Sequence, residues 1–304
     1  MAHRVAVWMA LAASWAWADI VSDVRAAVAR KDFAGAEKQV ETFRREHGVT
    51  PEMLEALSWL GRGALGAKQA EKAEAYANQT YKLAVEQLKT RKLDAERRLP
   101  IALGAAIEVR TQVMAARGER AEAVAFLNRE LKTYWNTSIR TRIQKNINLL
   151  SLEGKPAPPL ETGEWIGARP APLTELKGRV VLLFFWAHWC GDCKAQVPAL
   201  ARLASEFAGR GLVIVGPTQR YGYRARGQEA GPEEELRYID EVRQKFYAQI
   251  PGMSVPVSSE DFRLWGASTT PTLVLLDRSG RVRLYHPGQM SYEELAAKVE
   301  AAAR

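Results

Sequence analysis

Residues 180–200 read VVLLFFWAHWCGDCKAQVPAL, and this stretch predicts both the fold and the chemistry of the protein. The apolar run Val180–Phe185 predicts a buried strand, and residues 193–207 predict a helix. Cys190 and Cys193 are the only cysteines in the chain. A helix N-terminus stabilises a thiolate through its free N–H groups and its dipole, and the second sulfur lies one turn further on. The pattern therefore indicates a redox pair that closes and reopens a disulfide.

A C-x-x-C pair has two alternative uses, as half of a zinc site or as a structural disulfide. Zinc needs further Cys or His ligands at short spacing. No such spacing occurs among the histidines, which are His3, His47, His188 and His286. A disulfide across two intervening residues closes a minimal loop, so it restricts the unfolded chain very little. Catalytic redox chemistry is therefore preferred to both alternatives, and no metal site is expected.

Residues 1–18 have the pattern of a cleavable secretory signal. Arg4 precedes an apolar stretch over residues 5–17, and residues 16–18 form a small-x-small cleavage site, so the mature chain is expected to begin at Asp19. The apolar stretch is short for a membrane span of about 20 residues, which argues against an uncleaved anchor. A periplasmic location also fits the cysteine usage, because dithiol proteins find disulfide substrates in oxidising compartments.

The formal net charge of the chain is +8 at pH 7. A basic protein is a candidate for binding nucleic acid or an anionic membrane surface. Here, however, the Lys and Arg residues are interspersed with Asp and Glu, and the run KTRKLDAERR at 89–98 is interpreted as a solvated helix face. No nucleic-acid partner is expected.

Residues 19–150 are rich in Ala, Glu, Lys, Arg and Leu, with apolar residues at three- and four-residue spacing, which predicts an all-helical domain. Three segments look alike, each an Ala-rich helix start after a short polar turn: residues 32–37 (DFAGAE), 69–74 (QAEKAE) and 119–124 (ERAEAV). They resemble the tetratricopeptide helix-turn-helix, in which small residues let paired helices approach closely. Their uneven spacing predicts a repeat-like array rather than exact repeats. The array is interpreted either as a surface for a protein partner or as a packed spacer.

The proline-rich segment GKPAPP at 154–159 breaks the helical pattern. After it, strands and helices alternate. The predicted elements are a strand pair within 164–173, strands at 180–185, 212–216, 273–277 and 281–285, and helices at 193–207, 232–248 and 292–303. This order predicts an α/β domain over residues 151–304, with a central mixed sheet flanked by helices.

This second domain resembles the thioredoxin superfamily, in particular its TlpA/ResA-like exported branch. The resemblance rests on four stretches: GKPAPPL at 154–160, LKGRVVLLFFWAHWCGDC at 176–193, GLVIVGP at 211–217 and TTPTLVLLDRSG at 269–280. It covers the second half of the chain only. It implies thiol-disulfide exchange on protein substrates, with the Cys190–Cys193 disulfide as the redox group and no cofactor.

The resemblance also implies roles for individual residues. Cys190 is expected to be the attacking thiol and Cys193 the resolving thiol. Pro271 matches the cis-proline of the family, which leaves the backbone of Thr270 free to pair with an extended substrate. Trp189 is expected to pack under the motif and to contribute to substrate binding.

Two departures from the family pattern concern the proton of Cys193. Thioredoxin has a buried Asp six residues before the first cysteine, where this chain has Phe184, and the TlpA/ResA branch often has a Glu where this chain has Gln196. Asp192 is then the nearest carboxylate. His188 would stabilise a thiolate if protonated, whereas Asp192 opposes it. With Gly191, these residues are the predicted determinants of the redox properties.

The loop at 217–231 (PTQRYGYRARGQEAG) follows a core strand on the side of the sheet that carries the cysteines. Tyr221 and Tyr223, with Arg220 and Arg224, are predicted to line the active site and contact a partner. The alternative is a mobile, solvated loop.

The sequence as a whole predicts an exported thiol-disulfide oxidoreductase. Reduction of target disulfides is favoured over their formation, because Gly191 and Asp192 stabilise a thiolate less than the His-containing motifs of strong oxidants do. The expected partners are protein thiols and disulfides, a membrane-side electron donor, and a further protein on the helical domain. The alternative is a non-catalytic scaffold, in which the redoxin domain only positions a partner of the helical domain.

Overall fold

The computed structural model of the protein describes residues 19–304, so the predicted signal peptide lies outside the described residues. Within residues 19–151 the chain forms seven α-helices: α1 (Ile20–Ala29), α2 (Phe33–His47), α3 (Pro51–Gly66), α4 (Ala70–Gln87), α5 (Arg98–Ala116), α6 (Arg120–Thr133) and α7 (Arg140–Ser151). This described range contains no strand. The prediction of an all-helical N-terminal region is confirmed.

Three helical hairpins, α1–α2, α3–α4 and α5–α6, turn in the same way. One turn residue in each has φ in the left-handed region: Lys31 (62°), Lys68 (59°) and Gly118 (89°). The next residue donates its N–H to a carbonyl five residues earlier: Asp32 to Ala27 (3.0 Å), Gln69 to Ala64 (2.9 Å) and Glu119 to Met114 (3.0 Å). Four residues later comes a fully buried alanine: Ala36, Ala73 and Ala123. The three similar segments are therefore structurally equivalent, although the tetratricopeptide assignment stays a prediction.

Helix α5 lies at the centre of the helical region, in contact with α3, α4, α6 and α7. Among the described residues it is the one helix long and apolar enough to cross a membrane, by length and composition alone. More than half of its apolar window (56%) is buried inside the protein. The apolar composition of α5 is thus explained by its burial in the core of the helical region.

A partly buried carboxylate joins α5 to α7. Glu108 Oε2 accepts hydrogen bonds from Arg142 Nε at 2.8 Å and from Lys145 Nζ at 3.0 Å. Burial alone would raise the pKa of Glu108, but the two cations hold the pKa at about 2. The carboxylate therefore stays ionised and compensates two cations that are themselves largely buried.

Replacing Glu108 by Gln is expected to lower the free energy of unfolding by about 2 kcal/mol at neutral pH, because Arg142 and Lys145 lose their counter-charge. The pKa of Glu108 is lower in the folded state than its ordinary value of 4.5. Its stabilising effect is therefore present above pH 4.5 and is lost as the pH falls towards 2. Urea unfolding of the wild-type and Glu108→Gln proteins, measured from neutral pH down to acidic pH, should show that their difference in free energy of unfolding becomes smaller as the pH falls. The control is Glu41→Gln, at an exposed position of α2. An equal effect of the two substitutions would contradict the prediction.

The second half of the chain is an α/β domain. Its elements are β1 (Trp165–Ile166), β2 (Val180–Phe185), α8 (Gly191–Phe207), β3 (Leu212–Val215), α9 (Pro232–Val242), β4 (Val255–Pro256), α10 (Ser259–Leu264), β5 (Thr272–Leu276), β6 (Val282–Pro287) and α11 (Tyr292–Ala302). The main sheet has the order β3–β2–β5–β6, with β2 parallel to β3 and antiparallel to β5, and β6 antiparallel to β5. The predicted α/β class with a mixed sheet is confirmed.

Strand β2 is central and all six of its residues are buried. Because side chains alternate along a strand, Val180, Leu182 and Phe184 pack with α8 and α11, whereas Val181, Leu183 and Phe185 face the layer that contains Phe262 and Trp265. The sheet is thus covered on both faces, which explains why β2 reads as an unbroken apolar run.

One sequence-based prediction for the sheet is wrong. Residues 164–173 do not form a strand pair; only β1 is extended there, and it pairs antiparallel with β4, far along the chain. Pro170 and Pro172 lack the N–H group that a strand ladder requires, which explains the early end of β1. Strand β4 and helix α10 were not predicted, because two and six residues are too short for a periodic pattern.

The helical region contacts the α/β domain through α7. Asn148 Nδ2 donates a hydrogen bond to the carbonyl of Trp265 at 2.8 Å, and Arg140 pairs with Glu260 at 2.7 Å. Gly266 lies directly against the backbone of Lys145 on α7. This contact lies a few residues before Pro271, so α7 supports the segment that leads to it.

Candidate active site

Strand β2 places Cys190 at the N-terminus of α8. Cys190 is the N-cap of this helix, and its Sγ accepts a hydrogen bond from the N–H of Cys193 at 3.0 Å. The two sulfurs form a disulfide. Both residues are almost fully buried, Cys190 at 2% exposure and Cys193 at 0%. On reduction, a Cys190 thiolate would keep this N–H donor and the positive end of the helix dipole.

The Thr270–Pro271 peptide bond is cis and lies beside the cysteines. The Thr270 carbonyl oxygen is 3.4 Å from Cys190 Sγ. Strand β5 begins directly after this bond, and its first residue, Thr272, pairs with Phe185 at the end of β2. The pairing of β2 with β5 thus brings two segments that are far apart in the sequence to the same edge of the sheet.

The aromatic residue beneath the motif is Trp186 rather than Trp189. Trp186 is fully buried, donates its indole N–H to the Gly216 carbonyl at 2.9 Å and packs on Tyr247 at a centroid distance of 4.4 Å. Trp189 is 50% exposed, so the prediction that it packs under the motif is wrong. The turn closed by the Cys190 N–H and the Ala187 carbonyl (3.0 Å) reverses the chain and leaves Trp189 at the surface.

The loop at 217–231 places its two tyrosines at this site. Tyr221 packs edge-on against Trp189 at 5.5 Å, and Tyr223 packs against His188 at 5.3 Å. The two arginines are held in ion pairs with glutamates: Arg220 with Glu164, and Arg224 with Glu234 at 3.1 Å. The loop is therefore anchored at several points, unlike the solvated loop of the alternative interpretation.

His188 is buried and faces Glu235 of α9, with its Nε2 atom 3.3 Å from Glu235 Oε1. Burial lowers the pKa of His188 below its ordinary value, and the nearby charge of Lys194 acts in the same direction. The carboxylate of Glu235 opposes this shift without reversing it. Burial thus disfavours the charged form of His188, which makes this residue a poor source of positive charge for a thiolate.

The other predicted redox-tuning residues lie on α8. Gly191 is its first residue, and Asp192 is exposed. The side-chain amide of Gln196 donates to the Met290 carbonyl and accepts from the Met290 N–H, both at 2.9 Å. Gln196 thus fastens α8 to the segment before α11, and both ends of its amide are occupied by this one residue.

Sequence reasoning missed Glu235. It contacts His188 and two amides of the loop, yet it lies 47 residues beyond His188 in the chain. The available signal was the acidic start PEEE of α9 at 232–235, which is typical of an ordinary helix N-terminus. Nothing in that pattern distinguishes the buried glutamate from its exposed neighbours.

A mixed sheet that delivers a C-x-x-C disulfide to a helix N-terminus, opposite a cis-proline, defines a thioredoxin-like domain of the thiol-disulfide oxidoreductase class. Residues 154–219 match the AhpC/TSA family. The chain is 25% identical to the thioredoxin-like protein YneN of Bacillus subtilis over 168 residues. This aligned region covers 55% of this chain and 89% of that protein.

Two further relatives carry the names of this class. The chain is 22% identical over 129 residues to the thiol-disulfide oxidoreductase ResA of Geobacillus thermodenitrificans (42% of this chain, 66% of that protein). It is 24% identical over 126 residues to the thiol:disulfide interchange protein DsbE of Xylella fastidiosa (41% of this chain, 56% of that protein). Among solved structures, a thioredoxin family thiol:disulfide interchange protein from Chlorobium tepidum is 22% identical, with a TM-score of 0.40, and covers 49% of this chain and 97% of that one. These matches cover about half of this chain or less.

Proposed function

We propose that the protein is an exported, periplasmic enzyme that exchanges dithiol and disulfide with protein substrates. The observation that carries the proposal is the Cys190–Cys193 disulfide at the N-terminus of α8, with the Thr270 carbonyl 3.4 Å from Cys190 Sγ. This juxtaposition supplies a thiolate-stabilising helix end and an extended backbone segment that can pair with a substrate chain at the same point.

In the reducing direction, the Cys190 thiolate attacks one sulfur of a substrate disulfide and releases the other as a thiolate. The product is a mixed disulfide between Cys190 and the substrate. Cys193, once deprotonated, attacks Cys190 Sγ, re-forms the intramolecular disulfide and releases the second substrate sulfur. Two electrons pass from the protein to the substrate, and an external dithiol must return them before the next turnover.

The environment of Cys190 supports the reducing direction. Strong oxidants of this class stabilise the reduced thiolate, whereas here burial disfavours the charged form of His188, and its Nε2 atom faces the carboxylate of Glu235 instead of the cysteines. A weakly stabilised thiolate favours the disulfide form of the enzyme, which makes the dithiol a better reductant. The electron supply is proposed to be a membrane-side donor of thiol equivalents.

The reduction potential of the Cys190–Cys193 pair tests the direction. Equilibration with dithiothreitol and glutathione buffers should give a value near that of thioredoxin, about −270 mV. A value near the strongly oxidising end, about −120 mV, would identify an oxidant and contradict the proposed direction. The fraction of reduced protein is read by alkylation of the free thiols and mass spectrometry.

The repeated hairpins favour a second role for the helical region, as a surface for a partner protein. Stacked helical hairpins commonly form extended binding surfaces. This role is compatible with catalysis, but it also supports the scaffold alternative. Substitution of the cysteines separates the two, since a scaffold would keep its biological function without them.

A further inference from the structure

Glu235 is a buried carboxylate whose contacts all lead to the redox site. Its side chain is 1% exposed. Oε1 accepts the N–H of Tyr221 at 2.5 Å, Oε2 accepts the N–H of Gly222 at 2.8 Å, and His188 Nε2 lies 3.3 Å from Oε1. A buried carboxylate is stable only when hydrogen bonds replace its hydration, and the N–H groups of Tyr221 and Gly222 supply two of them.

The partners of Glu235 belong to two segments that are distant in sequence. His188 lies two residues before Cys190, so its Cα is within about 7 Å of that of the cysteine. Tyr221 and Gly222 belong to the loop at 217–231. The carboxylate therefore bridges the segment that carries the nucleophile and the loop beside it.

The imidazole of His188 completes this bridge. The rings of Tyr221, Tyr223 and Tyr238 surround it edge-on, at centroid distances of 5.5, 5.3 and 5.3 Å. Besides these phenols, the charged groups that act on it are Glu235 from α9 and Lys194 from α8. His188 is thus packed between the carboxylate and the tyrosines.

The tyrosines continue this arrangement to the surface. Tyr221 packs edge-on against the half-exposed Trp189 at 5.5 Å and against Phe262 at 6.5 Å. Trp189, Tyr221 and Tyr223 form an aromatic wall beside Cys190, and Glu235 holds the backbone of that wall. A protein substrate paired with Thr270 would extend across it, whereas a small disulfide would reach only the sulfur atoms.

We propose that Glu235 is a positioning residue that fixes this aromatic wall for the recognition of protein disulfides. The proposal rests on the proposed exchange activity and names what selects its substrates. Because Glu235 contacts neither cysteine, its role is exerted on substrate binding and not on the exchange step itself.

The substitution Glu235→Gln removes this function with a minimal change of shape. A carboxylate accepts both amide N–H groups, one on each oxygen, whereas a carboxamide has a single oxygen and would turn its own N–H₂ group towards one of them. One loop amide then loses its acceptor. The loop is expected to leave its position beside His188.

Steady-state kinetics with insulin and with 2-hydroxyethyl disulfide test the proposal. Glu235→Gln is expected to raise KM for insulin by about tenfold, the size expected for one or two lost hydrogen bonds. The rate with 2-hydroxyethyl disulfide and the equilibrium constant with dithiothreitol should stay within about twofold of the wild-type values. Glu235→Asp, which keeps two acceptor oxygens, should have an intermediate KM for insulin.

The matched control is Glu233→Gln, the same change at an exposed position in the same helical turn. An insulin KM for Glu235→Gln equal to that of this control would overturn the proposal, as would parallel losses with both disulfides. If Glu235→Gln does not fold, the variant Tyr223→Ala, at the half-exposed end of the wall, takes its place. Tyr223→Ala is expected to show the same selective rise in the KM for insulin, and an unchanged KM would also overturn the proposal. Wild-type protein that turns over neither disulfide would instead refute the proposed function.

Discussion

Replacing Cys190 by serine is expected to abolish all measurable turnover of protein disulfides. The proposed nucleophile is the thiolate of Cys190, and a serine hydroxyl is neither ionised at neutral pH nor able to form the mixed disulfide. The N-cap itself should survive, since a serine oxygen accepts the Cys193 N–H as the sulfur does. Circular dichroism and unfolding midpoints should therefore show a folded protein. Insulin reduction followed by turbidity measures the loss.

Cys193→Ser is expected to have a different outcome, which makes the pair of variants diagnostic. This variant keeps the attacking thiolate but cannot resolve the mixed disulfide, so the substrate should remain attached to Cys190. Non-reducing electrophoresis of extracts from cells that produce the variant should reveal adducts that dithiothreitol releases, and mass spectrometry would identify the trapped proteins. Adducts on Cys193 in the Cys190→Ser variant would reverse the assigned roles. A double variant that keeps the biological function of the protein without any exchange activity would favour the scaffold.

The segment from β2 to α8 is the part of the molecule that the sequence predicts best. Six consecutive apolar residues, a short turn, a cysteine N-cap and a helix follow one another in one local segment, so the strand and the helix are specified by residues close in sequence. The helical region is predicted for the same reason, since its hairpin turns and buried alanines are local features. Recognition of the cis-proline segment, by contrast, depended on resemblance, because a proline before a strand is ordinary by itself.

The features that sequence reasoning missed are contacts between distant segments. Strand β1 acquires its partner in β4, and Glu235 acquires its role only when α9 packs beside the cysteine motif. Trp189 and Trp186 are separated by two residues, and only the turn between them determines which one is buried. Short elements and single buried charges leave no periodic signal, so their partners are visible only in three dimensions.

The same is true of the contact between α7 and Gly266. This glycine has φ +63°, and a Cβ atom there would lie 2.4 Å from the backbone nitrogen of Lys145 and 2.7 Å from its Cα. The carbonyl of the neighbouring Trp265 accepts hydrogen bonds from Asn148 at 2.8 Å and from the Tyr285 hydroxyl at 2.9 Å. The chain reaches the cis bond before Pro271 only a few residues later, so α7 of the helical region packs behind the segment that is proposed to bind substrate.

Gly266→Ala is therefore expected to lower the free energy of unfolding by about 4 kcal/mol. Two costs add up to this value: the left-handed backbone conformation that alanine would have to adopt, and a close contact that neither backbone can relieve. Gly280→Ala is the matched control. Gly280 has φ +78° but no heavy atom within 4 Å of the added Cβ, so only the backbone term applies, at about 1 kcal/mol.

Urea unfolding of the two variants, with tryptophan fluorescence and circular dichroism read together, separates the two contributions. A much lower urea midpoint of unfolding for Gly266→Ala than for Gly280→Ala would show that α7 packs closely against the segment before the cis-proline in solution. Equal midpoints would mean that α7 does not contact this segment in solution. In that case α7 could not support the backbone that the substrate is proposed to pair with.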